Sequence, residues 1–263
     1  MTSFPTVPLE QWIAGARLDD RRAQQRLFCL PYAGGGASVF REWPRALTSG
    51  LGVCAVQLPG REERWHEAPF QELRGLVMVL SDVLATVADT PFALFGHSMG
   101  GLIAFELARE LRRQDKPGPF HLFLSGLRAP HMPDRHRPIH DLPDPEILRE
   151  VGALNGIPEA VIGHAELMNV LLPTLRADLT LCETYAFHSE PPLECPISVF
   201  GGADDPRVNA DELSGWAAHT TREFRSHLFA GDHFFVNSAR SAVLQVLAKE
   251  ATETLARGSS GLR

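Results

Sequence analysis

The stretch Phe92-Ala93-Leu94-Phe95-Gly96-His97-Ser98-Met99-Gly100-Gly101 decides the fold. Its first four residues are a short continuous apolar run, as in a strand buried on both faces. Beyond it, Ile103, Leu107 and Leu111 recur at i, i+4 and i+8, the spacing of one helix face. Between strand and helix sits Gly96-His97-Ser98-Met99-Gly100, a Gly-x-Ser-x-Gly. A sharp strand-to-helix turn lifts a serine hydroxyl out of a sheet, and flanking glycines leave room for the tight backbone. The following helix N-terminus directs backbone N–H groups at the same point, where they stabilise developing negative charge. A bare Gly-x-Ser-x-Gly is a weak signal. The strand before it and the helix after it make Ser98 the expected nucleophile.

Working outward, five more short apolar runs read as buried strands: Arg26–Leu30, Gly52–Gln57, His121–Leu124, Ile197–Phe200 and Ser226–Phe229. Helical patterns separate them, including Val243, Leu247, Ala251 and Leu255 near the C-terminus. Strands alternating with helices imply a mostly parallel sheet flanked by helices. The alternation breaks between about 129 and 196. There a Pro/His/Arg-rich loop leads into helical patterns at Pro145–Val151 and Leu167–Tyr185. The expectation is one α/β-hydrolase domain over 1–263, with a helical lid inserted at about 129–196.

A serine hydroxyl needs a base to take its proton, and the base needs an orienting carboxylate. In this fold class the chain order is Ser, acid, His. Ile197–Phe200 leads into Gly201-Gly202-Ala203-Asp204-Asp205-Pro206, which offers two adjacent acids. Asp205 is preferred because it completes a G-x-x-D counted from Gly202 and Pro206 stiffens its turn, and Asp204 stays the alternative; otherwise both would merely cap the next helix. Ser226–Phe229 leads into Ala230-Gly231-Asp232-His233, making His233 the expected base. An oxyanion hole needs two N–H donors. Met99 follows the nucleophile, and Ala33, with Tyr32 as alternative, lies in Leu30-Pro31-Tyr32-Ala33-Gly34-Gly35-Gly36 after an early strand. That glycine run is no phosphate cradle, since no Lys follows at P-loop spacing and no G-x-G-x-x-G is completed.

Three polar groupings compete for attention. His131, His136 and His140 with Asp134 fit no common zinc spacing and read as a solvated loop. Arg61-Glu62-Glu63-Arg64 reads as a solvated or self-paired loop. Arg128, Arg135 and Arg137 near the lid entrance could form a local docking patch. The 263 residues carry a net charge of −7 with no Lys/Arg run, which argues against nucleic acid. Cys29, Cys54, Cys182 and Cys195 form no CxxC pair and read as free thiols in a reducing compartment. No signal peptide or membrane span is visible, so a cytoplasmic protein is expected. The tail Gly258–Arg263 reads as disordered, and without a heptad or exposed apolar stripe a monomer is expected.

Taken together, LFCLPYAGGGASVFREW (Leu27–Trp43), VQLPGREER (Val56–Arg64), FGHSMGG (Phe95–Gly101), LSGLRAP (Leu124–Pro130), FGGADDP (Phe200–Pro206) and FAGDHFF (Phe229–Phe235) resemble the type II thioesterases of polyketide synthases and nonribosomal peptide synthetases. The resemblance implies the nucleophile at Ser98, the base at His233, the acid in the FGGADDP turn and an oxyanion donor in the LPYAGGG loop. It also implies an editing activity that clears stalled or misloaded acyl groups from the phosphopantetheine arm of acyl or peptidyl carrier proteins, with no cofactor or metal of its own. Such carriers are commonly acidic, as is this chain, so long-range attraction would be weak and docking local.

Overall fold

A computed structural model of the protein describes residues 9–14, 25–47, 50–87, 89–155 and 165–260. A seven-stranded sheet runs in the order β1-β3-β2-β4-β5-β6-β7. The strands are Ile13–Ala14 (β1), Gln25–Leu30 (β2), Leu51–Val56 (β3), Phe92–His97 (β4), His121–Ser125 (β5), Ile197–Gly202 (β6) and Phe224–Phe229 (β7). Only β1 is antiparallel to its neighbour; the other pairs are parallel. All six apolar runs of the sequence are strands, displaced by at most two residues at either end. The two-residue β1 was not anticipated, because so short a segment carries no periodicity.

Parallel strands need crossover helices on both faces, so alternate side chains must be apolar in both directions. Phe28, Leu30, Leu94, Leu122, Leu124 and Val199 pack on one face with helices Leu73–Ala85 and Met99–Arg113. Leu27, Cys29, Phe95, Phe123 and Phe200 pack on the other with Trp43 and helix Arg240–Ser260. Leu73–Ala85 buries Leu73, Leu76, Val77, Leu80 and Leu84, a helical stripe set directly by its sequence spacing. Each such fully buried Leu or Phe contributes roughly 1.5–3 kcal/mol.

The topology fixes where a site can form. From β2 the chain crosses to β3 on one side, and the next strand, β4, pairs on the other. In parallel sheets such a reversal leaves a crevice beyond the strand C-termini. Leu30 at the end of β2 pairs with Gly96 near the end of β4, so the loop after β2 and Ser98 meet there.

Between β5 and β6 lie helices Asp144–Gly152 and Ala165–Glu183, and no strand among the described residues. Ile139, Ile147, Val151, Met168, Leu172 and Leu175 form their own apolar cluster, against which Ala33 of the sheet loop packs. The four cysteines are free, and burial raises their thiols, Cys54 to about 11 and Cys195 to about 12. No helix among the described residues is long and apolar enough to cross a membrane. The expected disordered tail is corrected in part: helix Arg240–Ser260 continues through Gly258, and only 261–263 of that tail lie outside the described residues.

Candidate active site

Ser98 stands at the end of β4 with φ 52° and ψ −116°. A non-glycine residue in this region is strained, by roughly 1–3 kcal/mol. Neighbouring contacts hold it: Ser98 N donates to Ser125 O at 2.7 Å, and Ser98 O accepts from Gly101 N and Leu102 N. The glycines are steric necessities. A Cβ on Gly96 would lie 2.0 Å from Gly100 O, and one on Gly100 would lie 2.0 Å from Leu30 O.

His233, in the loop after β7, brings Nε2 to 3.1 Å from Ser98 Oγ. Its Nδ1 lies 2.8 Å from Asp205 Oδ2. An ionised carboxylate only accepts, so Nδ1 carries the proton and Nε2 presents its lone pair to the Ser98 hydroxyl. Asp205 Oδ1 accepts from Arg207 N at 2.8 Å, and its side chain is fully buried. Of the adjacent acids, Asp205 reaches His233, whereas Asp204 is exposed and enters the turn through its backbone, donating to Gly231 O. Neither acid caps the following helix; Asn209 does, in a capping box with Glu212.

Aromatic rings surround His233. His97 and Phe234 each lie 5.3 Å from the His233 ring, and Tyr32 stands edge-on to Phe234. His97 is fully buried with Nδ1 on Ser125 Oγ. Burial, and then the neighbouring His233, push its pKa well below the ordinary value, so it stays neutral beside His233.

The loop after β2 closes with Gly35 N donating to Tyr32 O at 2.9 Å, and Gly34 takes φ +76°, which glycine adopts without strain. The Ala33 and Met99 amides donate to no acceptor among the described residues. Free donors of this kind are what an oxyanion requires.

The reading of Arg61–Arg64 as a solvated or self-paired loop is overturned. The Arg61 and Arg64 side chains are each only 5% exposed. Arg61 makes a two-pronged ion pair with Asp178 of helix Ala165–Glu183, at 2.7 and 2.8 Å. Arg64 donates to Gln57 O, pairs with Glu67 and lies over the Trp12 ring. Glu62 accepts from Ser38 N, and only Glu63 fits a free surface position. The run is charged, but partners distant in sequence bury half of it. Asp178 was missed altogether; its one signal is an acid inside the apolar helical pattern Ala177-Asp178-Leu179.

The other groupings are drawn apart. His131 faces His219 at 2.8 Å and His140 faces Glu183 at 2.7 Å. Among the described residues no three metal-ligating side chains converge. Arg128, Arg135 and Arg137 pair with Asp134, Glu212 and Glu150, so their charges are already compensated.

The sheet order, the strand–Ser98–helix turn and the meeting of Ser98 with the loops after β2, β6 and β7 define an α/β-hydrolase. Residues 25–250 match the thioesterase domain family, and the chain belongs to it: it is a thioesterase, a hydrolase of thioesters. It is similar to the gramicidin S biosynthesis protein GrsT of Aneurinibacillus migulanus, 42% identical over 248 residues, 94% of this chain and 96% of that protein. Among solved structures it is similar to the RedJ thioesterase of the prodiginine pathway in Streptomyces coelicolor, with TM-score 0.82 and 39% identity over 90% of each chain. It is also similar to BorB, the type II thioesterase of the borrelidin cluster, with TM-score 0.82 and 37% identity over 90% of this chain and 96% of that one.

Proposed function

We propose that the protein is an editing thioesterase, which frees stalled or misloaded acyl groups from the phosphopantetheine arm of acyl or peptidyl carrier proteins in polyketide or nonribosomal peptide assembly. The observation that carries the chemistry is the hydrogen-bonded chain Ser98–His233–Asp205. Likeness to GrsT, RedJ and BorB supports the substrate class.

In the proposed reaction His233 Nε2 takes the Ser98 hydroxyl proton as Oγ attacks the thioester carbonyl. Asp205 orients the imidazole and stabilises its cation. The Met99 N–H and that of Ala33, or of Tyr32 as the alternative, hold the oxyanion. Collapse breaks the C–S bond, and His233 returns the proton to the leaving pantetheine sulfur. A water then loses a proton to His233 and attacks acyl-Ser98; collapse restores the Ser98 hydroxyl and frees the acid. No step calls for a cofactor or metal.

The segment 129–196 acts as lid over one domain, gating the arm. A cytoplasmic, monomeric enzyme is part of this reading.

The test presents one acyl group in three ways: on a phosphopantetheinylated carrier, on a free pantetheine-like thiol, and as an oxygen ester. Thioester preference, strongest on the carrier, supports the reading. Preference for the oxygen ester makes the protein a general carboxylesterase, and no labelling of Ser98 by a fluorophosphonate makes it a noncatalytic binding protein.

A further inference from the structure

The buried Arg61–Asp178 pair joins residues 117 apart in sequence, yet what it grips is the turn that carries Ala33. Asp178 Oδ2 accepts from Gly34 N at 2.8 Å. Arg61 Nη1 donates to Gly35 O at 3.2 Å, while its Nε donates to Pro59 O. Gln57 braces the same place, accepting from Ala37 N and donating to Arg61 O. The turn's own bond, Gly35 N to Tyr32 O, fixes the Tyr32–Ala33 peptide. Because a peptide is planar, fixing Tyr32 O also fixes the opposite direction of Ala33 N–H. The Asp178 bond then fixes the next peptide, Ala33–Gly34. Both planes flanking Ala33 are therefore held, one by the turn and one by the insertion helix.

Stability alone is a poor account of this pair. Its side chains are 5% and 2% exposed, and a buried ion pair is often no more stabilising than apolar side chains of similar volume. Charge balance gives Arg61 a second task. An uncompensated Asp178 carboxylate beside Gly34 would repel an oxyanion at the neighbouring amide, and the guanidinium cancels it.

We propose that Asp178 and Arg61 are positioning residues for oxyanion stabilisation, holding Ala33 N–H on the thioester oxygen. The insertion helix thereby completes the oxyanion hole rather than only covering it. The inference rests on the reading that Ser98 attacks a thioester carbonyl held by Ala33 and Met99.

The experiment compares wild type, S98A, D178N, R61M and the apolar pair R61M/D178L on one acyl thioester of a free thiol, with kcat, KM and thermal midpoint measured for each. The double variant should keep a midpoint near that of wild type and a KM within about twofold, while kcat falls by roughly tenfold to a hundredfold, approaching the loss seen when an oxyanion donor is removed. R61M alone should lose more kcat than the double variant, because it leaves the carboxylate uncompensated. D178N, whose carboxamide oxygen still accepts from Gly34 N–H, should lose less than the double variant. A double variant with wild-type kcat, or a loss confined to KM or to the midpoint, overturns the proposal. Wild-type turnover no greater than that of S98A would instead overturn the Ser98 reading itself, and this inference with it.

Discussion

Asn155 Nδ2 donates to Asp232 Oδ2 across 2.8 Å, which brings the chain after helix Asp144–Gly152 to the residue preceding His233. Asp232 Oδ1 accepts from Phe234 N at 2.8 Å, so this carboxylate ties together the residues on either side of His233. The chain between β5 and β6 thus reaches two loops that meet near Ser98: Asp178 accepts from the loop after β2, and Asn155 donates to the loop after β7. Asn155 holds φ +59°, which asparagine tolerates better than most residues. N155A loses the exposed bond and also forces alanine into a left-handed conformation. N155G loses only the bond. The expected result is a thermal midpoint lowered by about 2–4 °C in N155A, on the order of 1 kcal/mol, and by clearly less in N155G. Equal midpoints for the two variants would show that the backbone at 155 carries no strain.

Asp205 and Asp204 differ by one position and should differ by orders of magnitude in effect. D205N leaves the size of the side chain, but with its one oxygen accepting from Arg207 N the amide nitrogen faces His233 Nδ1 and, being a donor, imposes the other His233 tautomer. The expected loss in kcat is roughly 10³–10⁴-fold, the scale seen when a triad acid is neutralised. D204N, exposed and joined to the turn only by its backbone, should stay within about twofold of wild type. Steady-state hydrolysis of a single thioester decides it, and the reverse order would move the acid to Asp204.

The elbow glycines separate steric need from mere preference. G96A and G100A each place a methyl carbon 2.0 Å from a carbonyl oxygen of neighbouring backbone, which cannot step aside. Both should yield insoluble or strongly destabilised protein, by more than about 4 kcal/mol. At Gly101 the nearest atom is the flexible Leu127 Cδ2 at 3.2 Å. Alanine also favours helix there by about 1 kcal/mol over glycine. G101A should therefore fold, with a midpoint within a few degrees of wild type. Circular dichroism melts of the three variants test the ordering.

These contrasts explain what was legible in the sequence. The strands were readable because burial on both faces demands continuous apolar runs such as Phe92–Phe95. That Ser98 and His233 would meet was readable because each follows a strand at its C-terminal end, where the parallel topology gathers loops. The preference for Asp205 over Asp204 rested on its G-x-x-D spacing from Gly202 and on Pro206, whereas the structure separates the pair by direction: one side chain reaches His233, and the other is exposed. Arg61 was misread because four consecutive charged residues look solvated until a distant partner is known. Asp178 lies 117 positions away, and local pattern carries no information about such a pairing. Asn155 and Asp232 went unread for the same reason, being 77 positions apart.

The His131–His219 contact predicts how the fold responds to acid. His219 is buried against Phe105, Phe187 and Trp216, and its Nε2 faces His131 Nδ1 at 2.8 Å. Burial first, then the positive potential of His131 and Arg109, lowers its pKa to about 4. The nearby carboxylates Glu106 and Glu190 are taken up by Arg109. His121 moves the same way, also to about 4, chiefly through burial under hydrogen bonds to Ser198 and Thr254. An unfolded histidine titrates near 6.5, so between about pH 6.5 and 4 the unfolded chain binds more protons. The stability these histidines contribute is therefore complete above about pH 6.5, declines as pH falls through that window, and changes no further below about 4. H219Q removes one titration while keeping a polar side chain. Between pH 7.5 and 4.5 the thermal midpoint of wild type should fall several degrees further than that of H219Q, at about 2–4 °C per kcal/mol. Parallel declines in the two proteins would mean that His219 takes up its proton at the same pH folded and unfolded.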